Sequence, residues 1–298
     1  MKIFSSTSNP ALAEKIAKHL DLPVTPIETH VFPDGERRVK IEGDVASTPC
    51  IVVAPTSPPV DSNIIELCLI LDALKNAGAT KITAVVPYLG YQRQDHIFRT
   101  GEGRSLEVVI KMIEACGADQ IVGVDFHSIK IPELFSIPVT HISAIPLFSK
   151  KIKNMGIDLS DACIVSPDMG GLRRLEALKE ELGGIEAVSV EKERDVVTGD
   201  IKISGLHGNV KKVCFVVDDM ISSGGTIAEA LKELQKNGGQ RLFVMVTHAV
   251  FSEKAPEILE KSLAEKVFVT DSIFIPEDRT FSKLEVLTLS ENIANALS

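Results

Sequence analysis

Two hydrophobic periods alternate along this chain, and that alternation restricts its fold more than any other feature. Short β-branched runs bounded by turn residues recur at Cys50–Ala54, Lys81–Val86, Gln120–Val124, Ala162–Val165, Val213–Val217 and Leu242–Thr247. Amphipathic stretches such as Ser62–Asn76, Ser105–Ala115, Gly170–Leu182 and Thr226–Asn237 separate them. Strand and helix in regular alternation predict an α/β fold of mainly parallel, buried strands flanked by helices. Several runs end in Asp, Pro or His, which places polar chemistry at the carboxyl edge of the sheet, where open α/β sheets bind ligands.

One strand–loop–helix–strand unit occurs twice. The segment from Cys50, CIVVAPTSPPVDSNIIELCLILDALKNAGATKITAVVPY, lies over the segment from Cys214, CFVVDDMISSGGTIAEALKELQKNGGQRLFVMVTH. Gly238 falls over Gly78 once the second helix is shortened by four residues. The repeat predicts two similar domains with a boundary near residues 142–150. At about 150 residues per domain, the 298 residues also suggest two. The expected division is 1–145 and 146–298, with the last ~15 residues packing back on the N-terminal domain.

The formal net charge of −9, with 44% apolar and 24% charged residues, is that of an ordinary soluble protein. It argues against partners that attract a basic surface, namely duplex nucleic acid and anionic membranes. The N-terminal MKIFSSTSNPALAEKIAKHL has no signal-peptide apolar core, and the apolar stretch Ile64–Leu74 is broken by Glu66 and Asp72. Cys50, Cys68, Cys116, Cys163 and Cys214 form no C-x-x-C pair and read as small buried hydrophobes in a reducing compartment. A cytoplasmic protein is expected.

The repeats differ at their loops. The second holds Asp218, Asp219 and then SSGGT, where the first has APTSPPV. Gly224 and Gly225 let backbone N–H groups approach an anion, Ser222, Ser223 and Thr226 add hydroxyls, and a helix begun at Thr226 directs its positive end into the same space. Asp218 and Asp219, read as lying at the strand end, are acceptor-only groups suited to sugar hydroxyls or Mg²⁺. Together they describe a sugar-phosphate pocket. Neither a P-loop nor a dinucleotide G-x-G-x-x-G string occurs.

The segment VVDDMISSGGT resembles the phosphoribosyl-diphosphate-binding motif of type I phosphoribosyltransferase folds. FPDGE (Phe32–Glu36), PYLGYQRQD (Pro87–Asp95), VDFHS (Val124–Ser128), VSPDMGG (Val165–Gly171) and EKER (Glu191–Arg194) narrow the resemblance to the ribose-phosphate pyrophosphokinase family. It implies two phosphoribosyltransferase-like domains, each a mainly parallel sheet flanked by helices. It further implies that Phe32, Asp34, Gly35, Glu36, Arg93, Gln94, Asp95 and His127 bind ATP. Phe32 suits adenine stacking, Glu36 its amino group and Arg93 the polyphosphate. Without the resemblance, FPDGERR reads as a β-turn. The family's Mg²⁺–nucleotide site maps to His127 and Asp168, with contact through a water or phosphate the better chemistry for a His.

Lys192 and Arg194 match the basic pair of the family's catalytic loop, read here as lying between strand EAVSV and the strand before Gly205. Asp218, Asp219, Ser222, Ser223, Gly224, Gly225 and Thr226, with Arg194, map to the ribose 5-phosphate site. Two positions depart from the common pattern: Glu193 stands between the cations where many members have a third base, and Ser222 where many have Asp. The implied reaction moves the β,γ-diphosphoryl group of Mg·ATP to O1 of ribose 5-phosphate, giving AMP and 5-phosphoribosyl 1-diphosphate. A homo-oligomer with its ATP site at a subunit interface is also implied. Two readings compete: a phosphoribosyltransferase using the same loop, and a non-catalytic homologue that regulates a synthetase. Against them stand the duplicated domain with its ATP-type segments, and the presence of Lys192, Arg194, Asp218 and Asp219.

Overall fold

The computed structural model describes residues 1–97, 99–194 and 201–298, with the backbone alone for residues 169, 192–194 and 201–204. The chain divides into two compact units, Met1–Ile142 with Ser272–Phe274 and Thr288–Ser298, and Ser143–Asp271 with Ile275–Leu287.

The first unit runs β1 (Lys2–Ser5), α1 (Pro10–His19), β2 (Val24–Thr25), β3 (Ile27–Val31), β4 (Arg37–Ile41), β5 (Pro49–Val53), α2 (Val60–Asn76), β6 (Lys81–Val86), α3 (Ser105–Ala115), β7 (Gln120–Val124) and β8 (Val139–Ile142). The second runs α4 (Ile145–Asn154), β9 (Ala162–Ser166), α5 (Leu172–Glu181), β10 (Glu186–Arg194), β11 (Ile201–His207), β12 (Val213–Ile221), α6 (Gly225–Lys236), β13 (Arg241–Ala249), α7 (Ala255–Glu260), β14 (Lys266–Thr270) and β15 (Leu284–Leu287). Helix α8 (Ser290–Leu297) belongs to the first unit, where it packs on α1 and β8.

Among the described residues the first sheet has the order β2-β1-β5-β6-β7-β8 and is parallel throughout. The second has the order β11-β10-β9-β12-β13-β14-β15, parallel except where β11 adds antiparallel to β10. With β11 set aside, the two orders match strand for strand. Helix α1 joins β1 to β2 as α5 joins β9 to β10, and α2 joins β5 to β6 as α6 joins β12 to β13. The repeat seen in the sequence is thus realised as one topology built twice. Each copy also carries an antiparallel ribbon before its central βαβ unit: β3–β4 in the first, β10–β11 in the second.

The central strands are buried along nearly their whole length, as β-branched runs covered on both faces must be. Asn9 caps α1 by accepting from the Leu12 N–H at 3.2 Å, Pro10 opens the helix, and Leu12, Ala13, Ile16 and Ala17 form its buried stripe. Helix α2 buries Ile64, Leu67, Ile70, Leu71 and Leu74 against the first sheet. Full burial of each such side chain contributes about 1.5–3 kcal/mol. All five cysteines are free. Burial pushes the Cys50 thiol up and the Cys68 thiol up to about 12, which leaves both unreactive at neutral pH.

Two boundaries differ from the sequence reading. Strand β12 does not stop at Val217: it continues through Asp218 and Asp219 to Ile221, because β13 pairs with it as far as Ile221↔Ala249. Lys192 and Arg194 stand on a strand rather than on a loop, paired with Ile203 and Ile201 of β11. Their charge suggests a loop, but an edge ribbon hydrogen-bonds through its backbone and needs no apolar residue there.

Candidate active site

In the second unit the site begins where two neighbouring strands end at different heights. β9 pairs with β12 only up to Val165↔Val216, whereas β12 runs on beside β13. The overhanging segment carries Asp218 and Asp219, whose side chains are 12% and 7% exposed. Arg174 of α5 reaches both, with Nη1 3.5 Å from Asp218 Oδ1 and Nη2 3.7 Å from Asp219 Oδ1. The Asp219 N–H donates to Asp218 Oδ1 at 2.9 Å. Burial pushes the Asp218 carboxyl well above the usual carboxylate range, the neighbouring Asp219 and Asp168 push the same way, and Arg174 opposes them.

Asp168 caps the turn after β9. Its Oδ1 accepts from the N–H groups of Gly170 at 2.9 Å and Gly171 at 3.2 Å, while Ser166 Oγ donates to its carbonyl at 2.7 Å. The structure therefore joins Asp218 and Asp219 through Arg174, a residue that motif reading missed, with Asp168 near enough to act on the Asp218 charge. The only sequence signal for Arg174 was a basic pair, Arg173 and Arg174, after SPDMGG.

The turn from β12 into α6 is Ser222–Gly224. Gly224 sits at φ +79°, a left-handed conformation that lets the chain enter the helix one residue earlier than Thr226. No side chain caps α6, so no side chain of its own cap competes for its first-turn N–H groups, as an anion site requires. Ser223 is exposed, and Gly225 and Thr226 are half-buried. Ser222 is turned aside: its Oγ lies 3.0 Å from Ser252 Oγ, and its carbonyl accepts from the Ser252 N–H at 3.0 Å. This turn can hold a phosphate group, with carboxylates alongside for hydroxyls or a hard cation. The side chains of Lys192 and Arg194 lie outside the described residues.

In the first unit Phe32–Glu36 forms the exposed tip of the β3–β4 ribbon. The Phe32 N–H donates to the Glu36 carbonyl at 2.8 Å, the Gly35 N–H to the Phe32 carbonyl at 2.9 Å, and the Glu36 N–H to Asp34 Oδ1 at 3.1 Å. His30 meets Phe32 in an edge-on ring contact, with centroids 4.7 Å apart. Exposed Arg93 and Gln94 follow β6, and Asp95 Oδ1 lies 2.6 Å from His96 Nδ1. Buried Gln92 ties this segment to the turn after β7, its Oε1 accepting from the His127 N–H at 3.0 Å. The structure thus brings Arg93, Gln94 and Asp95 to the loop of His127. His127 lies in the first unit and Asp168 in the second. Among the described residues no group of three or more His, Cys, Asp or Glu side chains forms a ready metal cage, and none of the helices is long and apolar enough to cross a membrane.

A doubly built parallel α/β architecture, with an uncapped phosphate-type turn beside buried carboxylates, defines a protein that handles phosphorylated ligands at a sheet edge. Residues 1–117 match the model of the N-terminal domain of ribose phosphate pyrophosphokinase, and residues 176–298 match the phosphoribosyl synthetase-associated domain. The ribose-phosphate pyrophosphokinase of Gloeobacter violaceus is 36% identical over 100% of this chain and 89% of its own length. That of Fusobacterium nucleatum is 36% identical over 100% and 94%. The crystal structure of phosphoribosylpyrophosphate synthetase from Mycobacterium smegmatis superposes with a TM-score of 0.92 at 34% identity, covering 99% of this chain and 97% of that one. The chain belongs to the ribose-phosphate pyrophosphokinase family, and it is an enzyme.

Proposed function

We propose that the chain transfers the β,γ-diphosphoryl group of ATP to O1 of ribose 5-phosphate, forming 5-phosphoribosyl 1-diphosphate and AMP. The observation that carries this reading is the uncapped N-terminus of α6 beside the buried pair Asp218 and Asp219. The first-turn amides of α6, with Ser223 and Thr226, hold the sugar 5-phosphate, and the acid pair accepts from the ribose hydroxyls. That leaves O1 as the nucleophile. ATP is held by Phe32, Asp34, Gly35 and Glu36 and by Arg93, Gln94, Asp95 and His127. Lys192 and Arg194 stabilise charge on the transferred group, the usual task of cations in phosphoryl transfer.

The donor set fits Mg²⁺. Of the two residues assigned to it, Asp168 offers an oxygen donor and His127 a contact through a water or phosphate, and a cation that keeps several waters and binds substrate phosphates needs only one or two carboxylates. When bound, Mg²⁺ neutralises polyphosphate charge. Holding both substrates in line contributes roughly 7–11 kcal/mol at best, the range for well-oriented intramolecular reactions. A cytoplasmic homo-oligomer whose ATP site is completed by a neighbouring subunit belongs to the same reading.

The test is product identity. With ATP, ribose 5-phosphate and Mg²⁺ supplied, the purified protein should release AMP in step with 5-phosphoribosyl 1-diphosphate. Diphosphate released only in the presence of a free base would transfer the assignment to a phosphoribosyltransferase, and no AMP at all would point to a regulatory homologue.

A further inference from the structure

We propose that Glu66, acting through Arg37, is a positioning residue that sets the Phe32–Glu36 loop over the first unit. This inference rests on the reading of that loop as nucleotide-binding. Glu66 is an acid in the apolar face of α2 with no exposed surface. It is fully engaged: Oε1 accepts from the Thr7 N–H at 2.8 Å, and Oε2 accepts from Thr7 Oγ1 at 2.6 Å and Arg37 Nη1 at 2.9 Å. One carboxylate therefore joins three elements that are distant in sequence: the turn after β1, the second turn of α2, and the start of β4.

The ribbon's own pattern shows what Arg37 adds. Arg37, Val39 and Ile41 alternate as the half-buried face of β4, and Val39 and Ile41 pack with Ile27 on the core. These apolar contacts hold the base of the ribbon. At the loop end the same face carries a cation, 17% exposed, against a buried anion. A buried ion pair adds little net stability compared with an apolar pair, but it fixes one geometry. The loop closes on itself through the Phe32–Glu36 and Gly35–Phe32 hydrogen bonds, so these set its shape and leave its placement open. Arg37 directly follows Glu36, and pinning it to Glu66 places the closed loop as one body.

The test compares Arg37→Met and Arg37→Lys with Glu66→Gln and Phe32→Ala in the full chain, reading kcat and both KM values. Arg37→Met should raise the KM for ATP on the order of tenfold, with the KM for ribose 5-phosphate within about twofold of wild type. Arg37→Lys should recover most of the loss, and Glu66→Gln should act in the same direction. The double variant Arg37→Met/Glu66→Gln should be no worse than the poorer single one, because both remove the same contact. If Glu66→Gln does not fold, Arg37→Met decides, since Glu66 keeps both bonds from Thr7. An unchanged ATP KM in Arg37→Met overturns the role, as does a parallel rise in both KM values. If Phe32→Ala leaves ATP binding untouched, the nucleotide reading of the loop fails and the positioning role with it. If Phe32→Ala weakens ATP binding and Arg37→Met does not, the positioning role alone fails.

Discussion

The turn after β5 and the turn after β12 occupy the same place in the same topology, yet the first is closed in on protein and the second faces outward. In the first copy Thr56 and Ser57 are buried. Thr56 Oγ1 accepts from the Gly90 N–H at 2.7 Å and donates to the Tyr88 carbonyl at 3.2 Å, and Asn63 Nδ2 donates to the Ser57 carbonyl at 2.7 Å. Its polar groups are consumed by the next loop and by α2 of its own unit. In the second copy, where the helix end likewise has no side-chain cap, Ser223 is exposed and two carboxylates stand beside it. Topology therefore supplies the location of a ligand turn. Which polar groups the surrounding protein leaves open decides whether it is one.

If that contrast is right, Asp219→Asn should have the largest effect, lowering turnover on the order of a hundredfold as a preorganised electrostatic contact is lost. AMP production within about threefold of wild type would remove the acid pair from the mechanism. Next, Gly224→Ala forces an L-residue into φ +79° at a cost of about 1–2 kcal/mol. It should raise the KM for ribose 5-phosphate by about tenfold, the equivalent of 1.4 kcal/mol, and leave the KM for ATP in place. Equal shifts in the two KM values would show that the turn is not specific to the sugar phosphate.

The corresponding change in the closed copy, Thr56→Val, should cost about 1–3 kcal/mol of stability by leaving the buried Gly90 N–H unpaired. Neither KM should move, and denaturant titration beside steady-state kinetics separates the two outcomes. The smallest effect concerns pH. The folded Asp218 carboxyl keeps its proton above the range in which the unfolded one releases it. The folded state therefore binds more protons in that window, and stability falls as pH rises through it. Asp218→Asn lacks that loss, so in metal-free buffer its Tm advantage over wild type should widen from about pH 4 upward. A gap that stays constant with pH would mean that Arg174 already offsets the burial.

Much of the frame was legible because it depends on local periodicity. Lys81–Val86, Gln120–Val124 and Ser105–Ala115 begin and end where the sequence places them. Short or marginal strands such as β1, β8 and β15, four residues each, carry too little pattern to stand out beside their turns. Acids are poor strand formers, so DD looked like the end of β12, and only pairing with His248 and Ala249 of β13 keeps the strand going. Arg174 and Glu66 escaped for a different reason. Their meaning lies in partners 44 residues away at Asp218, and 29 and 59 residues away at Arg37 and Thr7. Motif strings identify groups that meet a ligand more readily than groups that hold those groups still.

The return of Thr288–Ser298 to the first unit bears on how the protein is made. Ile293 and Ala294 of α8 are buried, and their helix packs on α1, which precedes it by about 270 residues. Residues 1–142 therefore emerge from the ribosome with the face that α8 will cover still bare, and it stays bare while the second unit is synthesised and folds. A chain cut before α8 would therefore present an unfinished first unit, however well the second had formed.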